Sequence, residues 1–367
     1  MMHFLRNLPR PPNAGKKSQL LARLNYLVGR RFPGLSPRLH LFGSSANDLC
    51  VGKGDIDLCL VIHPDAGSRV EVIEELGQVL SKAAMQDVQV LSKARIPIVK
   101  FFDPRTRQAC DVCCNNTLAL RNTQMLADYA RLDPRMRMLV LLVKSWAKRR
   151  DLNDPYHGSL SSYAYVLLVI FFLQTRDPPI LPCLQEHKRP QDPSRIPMEE
   201  GFDVYSYQRL HDLAGIGSAN QASVAGLLLG FFRFYGWEFD FQYQVVSIRK
   251  GQPISKEDKG WVKGQSKTIN YMCIEDPFET SHNLGKSVRW RHFKMICREF
   301  RRAYRVLATR NIKTAFWARP PPPAPHPRET NKSSQQDSSE IQEPSTQQDQ
   351  PQHDQVQPQE SDSHQPS

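Results

Sequence analysis

Short apolar segments of strand length dominate residues 39–114 of the chain. Their alternation of apolar and polar positions, with Gly, Pro and Asp residues between them, predicts five β-strands. The predicted strands are residues 39–42, 55–62, 88–91, 96–102 and 109–114. An amphipathic helix is predicted between the second and third strands, over residues 69–83. This pattern indicates a small α/β unit with a mixed sheet.

From residue 118 onward the apolar positions recur at helical spacing. The predicted helices span residues 118–131, 135–150, 160–174, 219–240 and 284–308. The apolar run at residues 163–173 has eleven residues, which is too short to cross a bilayer and predicts a buried helix. Six prolines between residues 176 and 200 exclude a continuous helix there. A further amphipathic helix at residues 18–31 is expected to pack on this helical region.

The composition changes again near residue 317, where Pro, Gln, Ser and acidic residues leave few aliphatic side chains to bury. We therefore predict four parts: an N-terminal segment (1–34), an α/β domain (35–117), a helical domain (118–316) and a disordered tail (317–367). Residues 320–367 hold two basic and eight acidic residues, so residues 1–319 carry a net charge of +18. A folded region this basic predicts a polyanionic partner.

Two aspartates, Asp55 and Asp57, stand at the start of the second predicted strand. Residues i and i+2 of a strand share a face, so both carboxylates are expected to project side by side. Burying two like charges without a counter-charge is very costly, and a divalent cation with phosphate oxygens would supply that charge. The turn at Gly43 and Ser44 could donate backbone N–H groups to those phosphates. The alternative is a pair of strand-end aspartates that cap a turn.

The Gly-Ser turn followed by Asp-x-Asp resembles the signature of DNA polymerase β-like nucleotidyltransferases. An enzyme of that type uses two metal ions and needs a third carboxylate on a neighbouring strand. Asp111 is the candidate, although alone it could equally be a capped strand end. The resemblance implies that Asp55, Asp57 and Asp111 are catalytic and bind Mg²⁺ or Mn²⁺. Asp55 and Asp57 would hold the metal on the triphosphate, and Asp111 the metal that lowers the pKa of an RNA 3′-hydroxyl.

Basic and aromatic residues of the helical region could complete such a site. Arg137, Lys144 and Lys148 recur on one face of a predicted helix, although a basic stripe on a helix is usually a solvated face. Ser162 and Tyr163 begin the next helix, where free N–H groups and the helix dipole favour phosphate. A tyrosine there could stack on a base.

Four sequence blocks support a specific family, and they follow one another along the chain: LLVKSWAKRR, GSLSSYAYVLL, LLLGFFRFYGWEF and IEDPFETSHNLG. They are similar to blocks of cytoplasmic poly(A) polymerases and terminal uridylyltransferases, most of all the compact fungal-type enzymes, over about residues 20–310. The resemblance implies an α+β fold, in which a polymerase β-like nucleotidyltransferase domain precedes a mainly helical poly(A)-polymerase-associated central domain. It implies a monomer that adds UMP from UTP to RNA 3′ ends.

The resemblance also implies a set of nucleotide-binding residues. They are Phe42, Gly43, Ser44, Asn122, Thr123, Lys144, Lys148, Ser162, Tyr163, Asp276 and His282. Asn122, assisted by Thr123, would contact the ribose 2′-hydroxyl, and the two lysines would contact the triphosphate. Ser162 would contact a phosphate and Tyr163 the base. The residues themselves leave alternatives open, with Asn122 as a helix cap and Tyr163 as a core aromatic.

His282 is the residue expected to choose the base. Uridylyltransferases of the family carry a histidine at its position, and Asp276 matches another residue at the base edge. An imidazole fills space that a purine requires and can hydrogen-bond uracil. The alternative for His282 is the N-terminal turn of a helix. The rival functions are an ATP-using poly(A) polymerase and an inactive RNA-binding scaffold, but a scaffold would be expected to have lost a carboxylate.

Two groups of basic residues could follow an RNA backbone. They are Lys93, Arg95 and Lys100 in the α/β unit, and Lys294, Arg298 and Arg301 on the last predicted helix. The second group could also be an ordinary solvated face.

The cysteines and the N-terminal sequence allow a prediction of the cellular compartment. The eight cysteines are scattered, and we interpret Cys110 and Cys113 as core thiols rather than zinc ligands. This usage suits a reducing compartment. With no signal-peptide pattern at the N-terminus, we expect a cytoplasmic protein, which could also be present in the nucleus, with no membrane association.

Overall fold

The computed structural model describes residues 14–52, 54–262 and 270–317. It contains a five-stranded mixed sheet with the order β1-β2-β5-β4-β3. The strands are β1 Arg38–Phe42, β2 Ile56–Val61, β3 Gln86–Leu91, β4 Ile98–Asp103 and β5 Gln108–Cys114. β2 and β5 run parallel, whereas the other neighbouring strands are antiparallel. The predicted α+β fold with a mixed sheet is confirmed. From residue 318 onward the predicted tail lies outside the described residues.

Eight α-helices are present in these residues. They are α1 Ala14–Arg31, α2 Arg69–Lys82, α3 Thr117–Leu132, α4 Pro134–Arg149, α5 Ser162–Gln174, α6 Val224–Arg233, α7 Trp290–Ala308 and α8 Ile312–Trp317. Two short ribbons pair Met198–Glu199 with Phe202–Asp203 and Gln244–Val245 with Ile254–Ser255. None of the described helices has the length and apolar character needed to span a membrane.

Local capping chemistry explains where several helices begin. The Ser68 hydroxyl accepts the N–H of Glu71, and the Glu71 carboxylate accepts the N–H of Ser68, which is a capping box at the start of α2. Asn116 and Ser161 cap α3 and α5 by accepting N–H groups of the first turn. Asn122 therefore lies inside α3, and its alternative role as a helix cap is excluded.

Helix α1 packs on the sheet. Leu20, Leu24 and Val28 belong to the same hydrophobic core as β1, β2 and α2. Arg23 forms an ion pair with Asp103 at 2.8 Å, at the end of β4. The prediction that this helix packs on the helical region is wrong. Helical periodicity identifies an apolar face, but it does not identify the surface that covers that face.

The described residues contain two hydrophobic cores, which we use to name two lobes. The sheet lobe comprises α1, α2 and β1–β5, and the helical lobe comprises α3–α8 with the described segments between them. In the helical lobe the buried Trp146 stacks on Phe300, with ring centroids 5.4 Å apart. Leu49, from the loop after β1, belongs to the core of the helical lobe. The described chain forms one compact unit, so the proposed domain boundary at residue 117 stays a prediction.

Two helices of the helical lobe are shorter than predicted. α6 ends at Arg233 and continues as a π-helical turn, Phe234–Glu238. α7 begins at Trp290, and the preceding segment forms turns instead of helix. In those turns Gly285 lies against the backbone, since an added Cβ would be 2.1 Å from the carbonyl oxygen of Met272. Close backbone contact of this kind cannot be read from apolar spacing.

Candidate active site

Two of the predicted catalytic carboxylates are neighbours in the sheet. Asp57 on β2 pairs in register with Asp111 on the parallel strand β5. Asp55 lies one residue before β2, is exposed, and is therefore outside the strand in which it was predicted. The charge of Asp55 still raises the pKa of Asp57, as does the charge of Asp111. Asp55 and Asp111 therefore both act electrostatically on the Asp57 carboxylate.

The electrostatics of Asp57 indicate a shortage of positive charge. Burial, together with the charges of Asp111 and Asp55, raises the pKa of Asp57 to about 6. Lys100 donates a hydrogen bond of 2.5 Å to Asp111 and offsets part of this charge. Among residues 14–52, 54–262 and 270–317, no three His, Cys, Asp or Glu side chains are arranged as a ready metal site. The three carboxylates nevertheless fit a divalent cation, because they supply hard oxygen donors and repel one another.

The Gly43 turn determines the position of Asp57. Gly43 has a φ of +67°, and an added Cβ would lie 2.4 Å from Oδ2 of Asp57. Only glycine therefore fits this close approach. The N–H of Gly43 donates to Oγ1 of Thr123 at 2.8 Å. Thr123 therefore accepts the Gly43 N–H in this structure, and the prediction that the N–H groups of the Gly43-Ser44 turn donate to phosphates stays a prediction.

A cavity of about 310 Å³ lies beside these groups, between the sheet lobe and α3, α4 and α5. Most of the predicted nucleotide-binding residues line it. They are Phe42, Gly43, Ser44, Asn122, Thr123, Lys144, Ser162 and Tyr163, with Asp57 at the same wall. Lys148 is exposed and lines a separate cavity of about 410 Å³, together with Asp154 and His157. The structure thus brings Lys144, but not Lys148, to the carboxylates.

Lys144 is the buried cation of this cavity. Its Nζ donates to the carbonyl oxygen of Leu49 at 2.6 Å. Burial lowers the pKa of Lys144 to about 8, partly offset by the nearby charge of Asp57. Arg137, about two turns earlier on the same face of α4, donates to the carbonyl oxygen of Asp48 at 3.0 Å. Two of the three residues in the predicted basic stripe therefore hold the loop after β1 against α4.

A hydrogen-bonded chain joins α3, α5 and the segment predicted to choose the base. The hydroxyl of Tyr163 donates to Oδ1 of Asn122 at 2.8 Å and also contacts Oδ2 of Asp276 at 3.3 Å. Oδ1 of Asp276 accepts the N–H groups of Phe278 and Glu279, both at 3.0 Å. Burial raises the pKa of Asp276. Tyr163 is thus fixed through its hydroxyl, and Ser162 donates to Asn153 at 2.8 Å.

His282 is half-buried in a non-helical turn, so its alternative role at a helix N-terminus is excluded. The carbonyl oxygen of His282 accepts the backbone N–H of Asp276 at 3.1 Å. The backbone N–H of His282 donates to the carbonyl oxygen of Glu279 at 2.8 Å. The guanidinium of Arg95 lies beside its ring, with Nη1 at 3.3 Å from both ring nitrogens. Burial, followed by the charge of Arg95, lowers the pKa of His282.

The residues predicted to follow RNA have different environments. Lys93, Lys294 and Arg298 are exposed. Arg301 donates to the carbonyl oxygen of Gly236 at 2.7 Å, and Lys100 pairs with Asp111. That either group follows an RNA backbone stays a prediction. Cys110 and Cys113 are buried free thiols on β5, as interpreted from the sequence.

Comparisons with known proteins agree with this geometry. A family model described as the central palm domain of mitochondrial-like poly(A) RNA polymerase matches residues 1–131, and one described as Cid1 family poly A polymerase matches residues 223–282. The chain is 33% identical over 329 residues to terminal uridylyltransferase cid1 of Schizosaccharomyces pombe, covering 84% of this chain and 78% of that protein. The chain belongs to the Cid1 family.

Members of the Cid1 family carry two kinds of name. Poly(A) RNA polymerase cid13 of Schizosaccharomyces pombe is 37% identical over 294 residues, covering 80% of this chain but 50% of that protein. A solved structure of Cid1 poly(U) polymerase with Mg and 3′-dATP bound has a TM-score of 0.76 and 33% identity, covering 86% of this chain and 96% of that chain. The family and fold predicted from the sequence are confirmed. The chain spans only half the length of cid13.

Sequence reasoning missed two features of this Cid1-type site. Asn47 and Leu49 of the loop after β1 line the cavity, and neither is among the predicted site residues. The adjacent apolar residues Leu49, Cys50 and Val51 are the signal in the sequence that this loop packs on another element. The contacts of Arg95 with Glu279 and His282 join positions about 185 residues apart, and no local pattern marks them.

Proposed function

We propose that the chain is a template-independent RNA uridylyltransferase, which transfers UMP from UTP to an RNA 3′-hydroxyl and releases pyrophosphate. The observation that carries the proposal is the cavity where Asp57, Lys144 and Tyr163 share one space. A carboxylate, a buried ammonium and an aromatic ring suit a metal, a triphosphate and a base, respectively. Family membership supports the same reaction, since relatives are named terminal uridylyltransferase and poly(U) polymerase.

In this proposal Asp55, Asp57 and Asp111 would hold Mg²⁺ or Mn²⁺. When bound, such a metal neutralises the triphosphate and lowers the pKa of the attacking 3′-hydroxyl. The ammonium of Lys144 attracts the triphosphate from inside a low-dielectric wall, where its charge acts strongly. The hydroxyl of Tyr163 orients Asn122 towards the ribose and leaves the ring to stack on the base.

The base preference rests on His282. An imidazole held at the base edge would fill the space that a purine needs, and it can hydrogen-bond uracil. The second candidate is an ATP-using poly(A) polymerase, which the name of cid13 favours. His282 separates the two candidates, because its role is selection and not chemistry.

The test is a 3′-extension assay on a short labelled RNA, with each of the four nucleoside triphosphates and Mg²⁺. We expect extension with UTP, and a loss of kcat of about 10³-fold or more in Asp57→Asn. Asp65→Asn is the matched control, because Asp65 is an exposed carboxylate in the turn after β2. Retained activity in Asp57→Asn would refute the site, and a preference for ATP would favour the second candidate. RNA binding without any extension would indicate a scaffold.

Three further statements stay proposals. Lys93, Lys294 and Arg298 are exposed and remain candidates for RNA contacts. Salt-dependent RNA binding of charge-removing variants would test them. The monomeric state and the cytoplasmic location, with a nuclear fraction, also stay predictions from the sequence.

A further inference from the structure

Arg95 connects the two lobes at the residue proposed to choose the base. It lies in the turn between β3 and β4 of the sheet lobe. Its Nη2 donates to both carboxylate oxygens of Glu279, at 2.6 and 2.5 Å. Its Nη1 is 3.3 Å from both ring nitrogens of His282. We call these three side chains the clasp.

The helical lobe fixes the backbone of this segment, whereas among the described side-chain hydrogen bonds the His282 ring has Arg95 as its partner. The segment's backbone is closed by the bonds between His282, Glu279 and Asp276 described above. Beneath it the buried Glu275 pairs with Arg249 at 3.1 Å and with Lys259 at 2.9 Å. The backbone around His282 is therefore anchored by its own lobe, whereas Arg95, which contacts the imidazole ring, comes from the sheet lobe.

Burial and the surrounding charges together set the protonation state of the ring. Burial is the largest cause of the lowered pKa of His282, the cations Arg95 and Lys286 lower it further, and the anions Glu279 and Asp276 oppose them. The imidazole is accordingly neutral near pH 7. A guanidinium has only donors, so it can donate only to the unprotonated nitrogen of the neutral ring. The protonated nitrogen of a neutral imidazole can donate to a base.

We infer that Arg95 is a positioning residue for His282, and that discrimination between UTP and ATP depends on the clasp. The inference rests on the proposed uridylyltransferase function and deepens it. Arg95 was predicted from the sequence to contact RNA. Its two charge-assisted bonds to Glu279 instead commit the guanidinium to the base-choosing segment, which comes from the other lobe. The sheet lobe thereby takes part in base choice, although the residue that reads the base is in the helical lobe.

The chain offers a matched control for this inference. Arg69 on α2 forms an ion pair with Glu200 at 2.7 Å, which also joins the sheet lobe to the helical lobe. The arginines of both pairs are partly exposed, with side chains 61% exposed for Arg95 and 42% for Arg69. Arg69 has no contact with His282 among the described hydrogen bonds. Removing either arginine weakens an ion pair between the lobes, but only the removal of Arg95 should change the preference for UTP over ATP.

The experiment measures kcat/KM for UTP and for ATP with saturating short RNA in Arg95→Ala, Arg95→Lys and Arg69→Ala. We expect the UTP-to-ATP ratio to fall about three- to tenfold in Arg95→Ala. Arg95→Lys should give a smaller fall, because lysine keeps the charge without the two-pronged geometry. Glu279→Gln should also lower the ratio, while Arg69→Ala should leave it unchanged.

A double variant separates positioning from other roles. In a His282→Ala background, Arg95→Ala should cause no further change in the ratio, because the two residues act as one unit.

The UTP-to-ATP ratio of the parent protein should also fall at acid pH. Its inflection should move to higher pH in Arg95→Ala, because removing a cation raises the pKa of His282.

Three outcomes would overturn the inference. An unchanged ratio with a raised KM for RNA would show that Arg95 contacts RNA. An equal fall in Arg69→Ala would show that the clasp only joins the lobes. A fall that persists in full without His282 would show that Arg95 acts elsewhere. A parent protein that prefers ATP or extends no RNA would instead refute the proposed function, and the inference with it.

Discussion

Replacing Gly43 by alanine tests the proposed site with a single methyl group. Gly43 has a φ of +67°, and the new Cβ would lie 2.4 Å from Oδ2, 3.1 Å from Cγ and 3.3 Å from Cβ of Asp57. Because three atoms of the aspartate are close, rotating the carboxylate alone cannot relieve the contact. An ordinary contact needs about 3.4 Å or more, so Asp57 has to move by roughly 1 Å. A misplacement of about 1 Å at a reacting centre costs on the order of 10²-fold in rate.

In Gly43→Ala the alanine would also be strained, because its backbone is in the left-handed region. The effect of this strain has to be separated from the effect of displacing Asp57. A non-glycine residue in this conformation costs about 1–2 kcal/mol. Gly34→Ala carries the same kind of strain without a contact, because Gly34 has a φ of +79° and no atom within 4 Å of its added Cβ. We therefore expect both variants to lose about 1–2 kcal/mol of unfolding free energy in urea denaturation. Only Gly43→Ala should lose kcat for UTP addition, by about 10²-fold.

The outcome that would refute the reasoning is specific. If Gly43→Ala keeps kcat within about threefold of the parent while it is destabilised like Gly34→Ala, the position of Asp57 does not limit the reaction. If both variants lose activity equally, strain in the sheet lobe and not the contact with Asp57 is responsible.

Three more predictions concern the helical lobe. The kcat/KM for UTP should fall above about pH 8, by up to tenfold per pH unit, because Lys144 has a pKa of about 8 and loses its charge there. A pH profile of Lys144→Arg should lack this decrease. Tyr163→Phe should raise KM for UTP about three- to tenfold with little change in kcat, because it frees Asn122 from a 2.8 Å hydrogen bond; steady-state kinetics measure this. Glu299→Gln should lower the free energy of unfolding by about 3 kcal/mol, because it breaks the ion pair with Arg150, whose side chain is 1% exposed. Urea denaturation measures this loss, and an unchanged free energy of unfolding would contradict the prediction.

The sequence predicted those parts of the fold and site that are local. Strand alternation and turn residues identified β1–β5, and the spacing of the Gly-Ser turn and the aspartates identified one wall of the cavity. The packing of α1 was predicted wrongly, because an apolar stripe does not name its partner. Arg95 was assigned to RNA because it is basic, whereas its contacts with Glu279 and His282 depend on how the lobes meet. Information of that kind is not present in any local window of residues.

The position of α1 has a practical consequence for cutting or exchanging parts of this protein. Leu20, Leu24 and Val28 are between 0% and 2% exposed in the core of the sheet lobe. Burial of three such side chains contributes about 5–9 kcal/mol, which is comparable to the whole stability of a typical domain. A fragment that starts at residue 35 would expose the apolar surface that α1 covers, and we expect it to aggregate. A chimaera that replaces the sheet lobe by that of a relative therefore has to take the helix together with the strands.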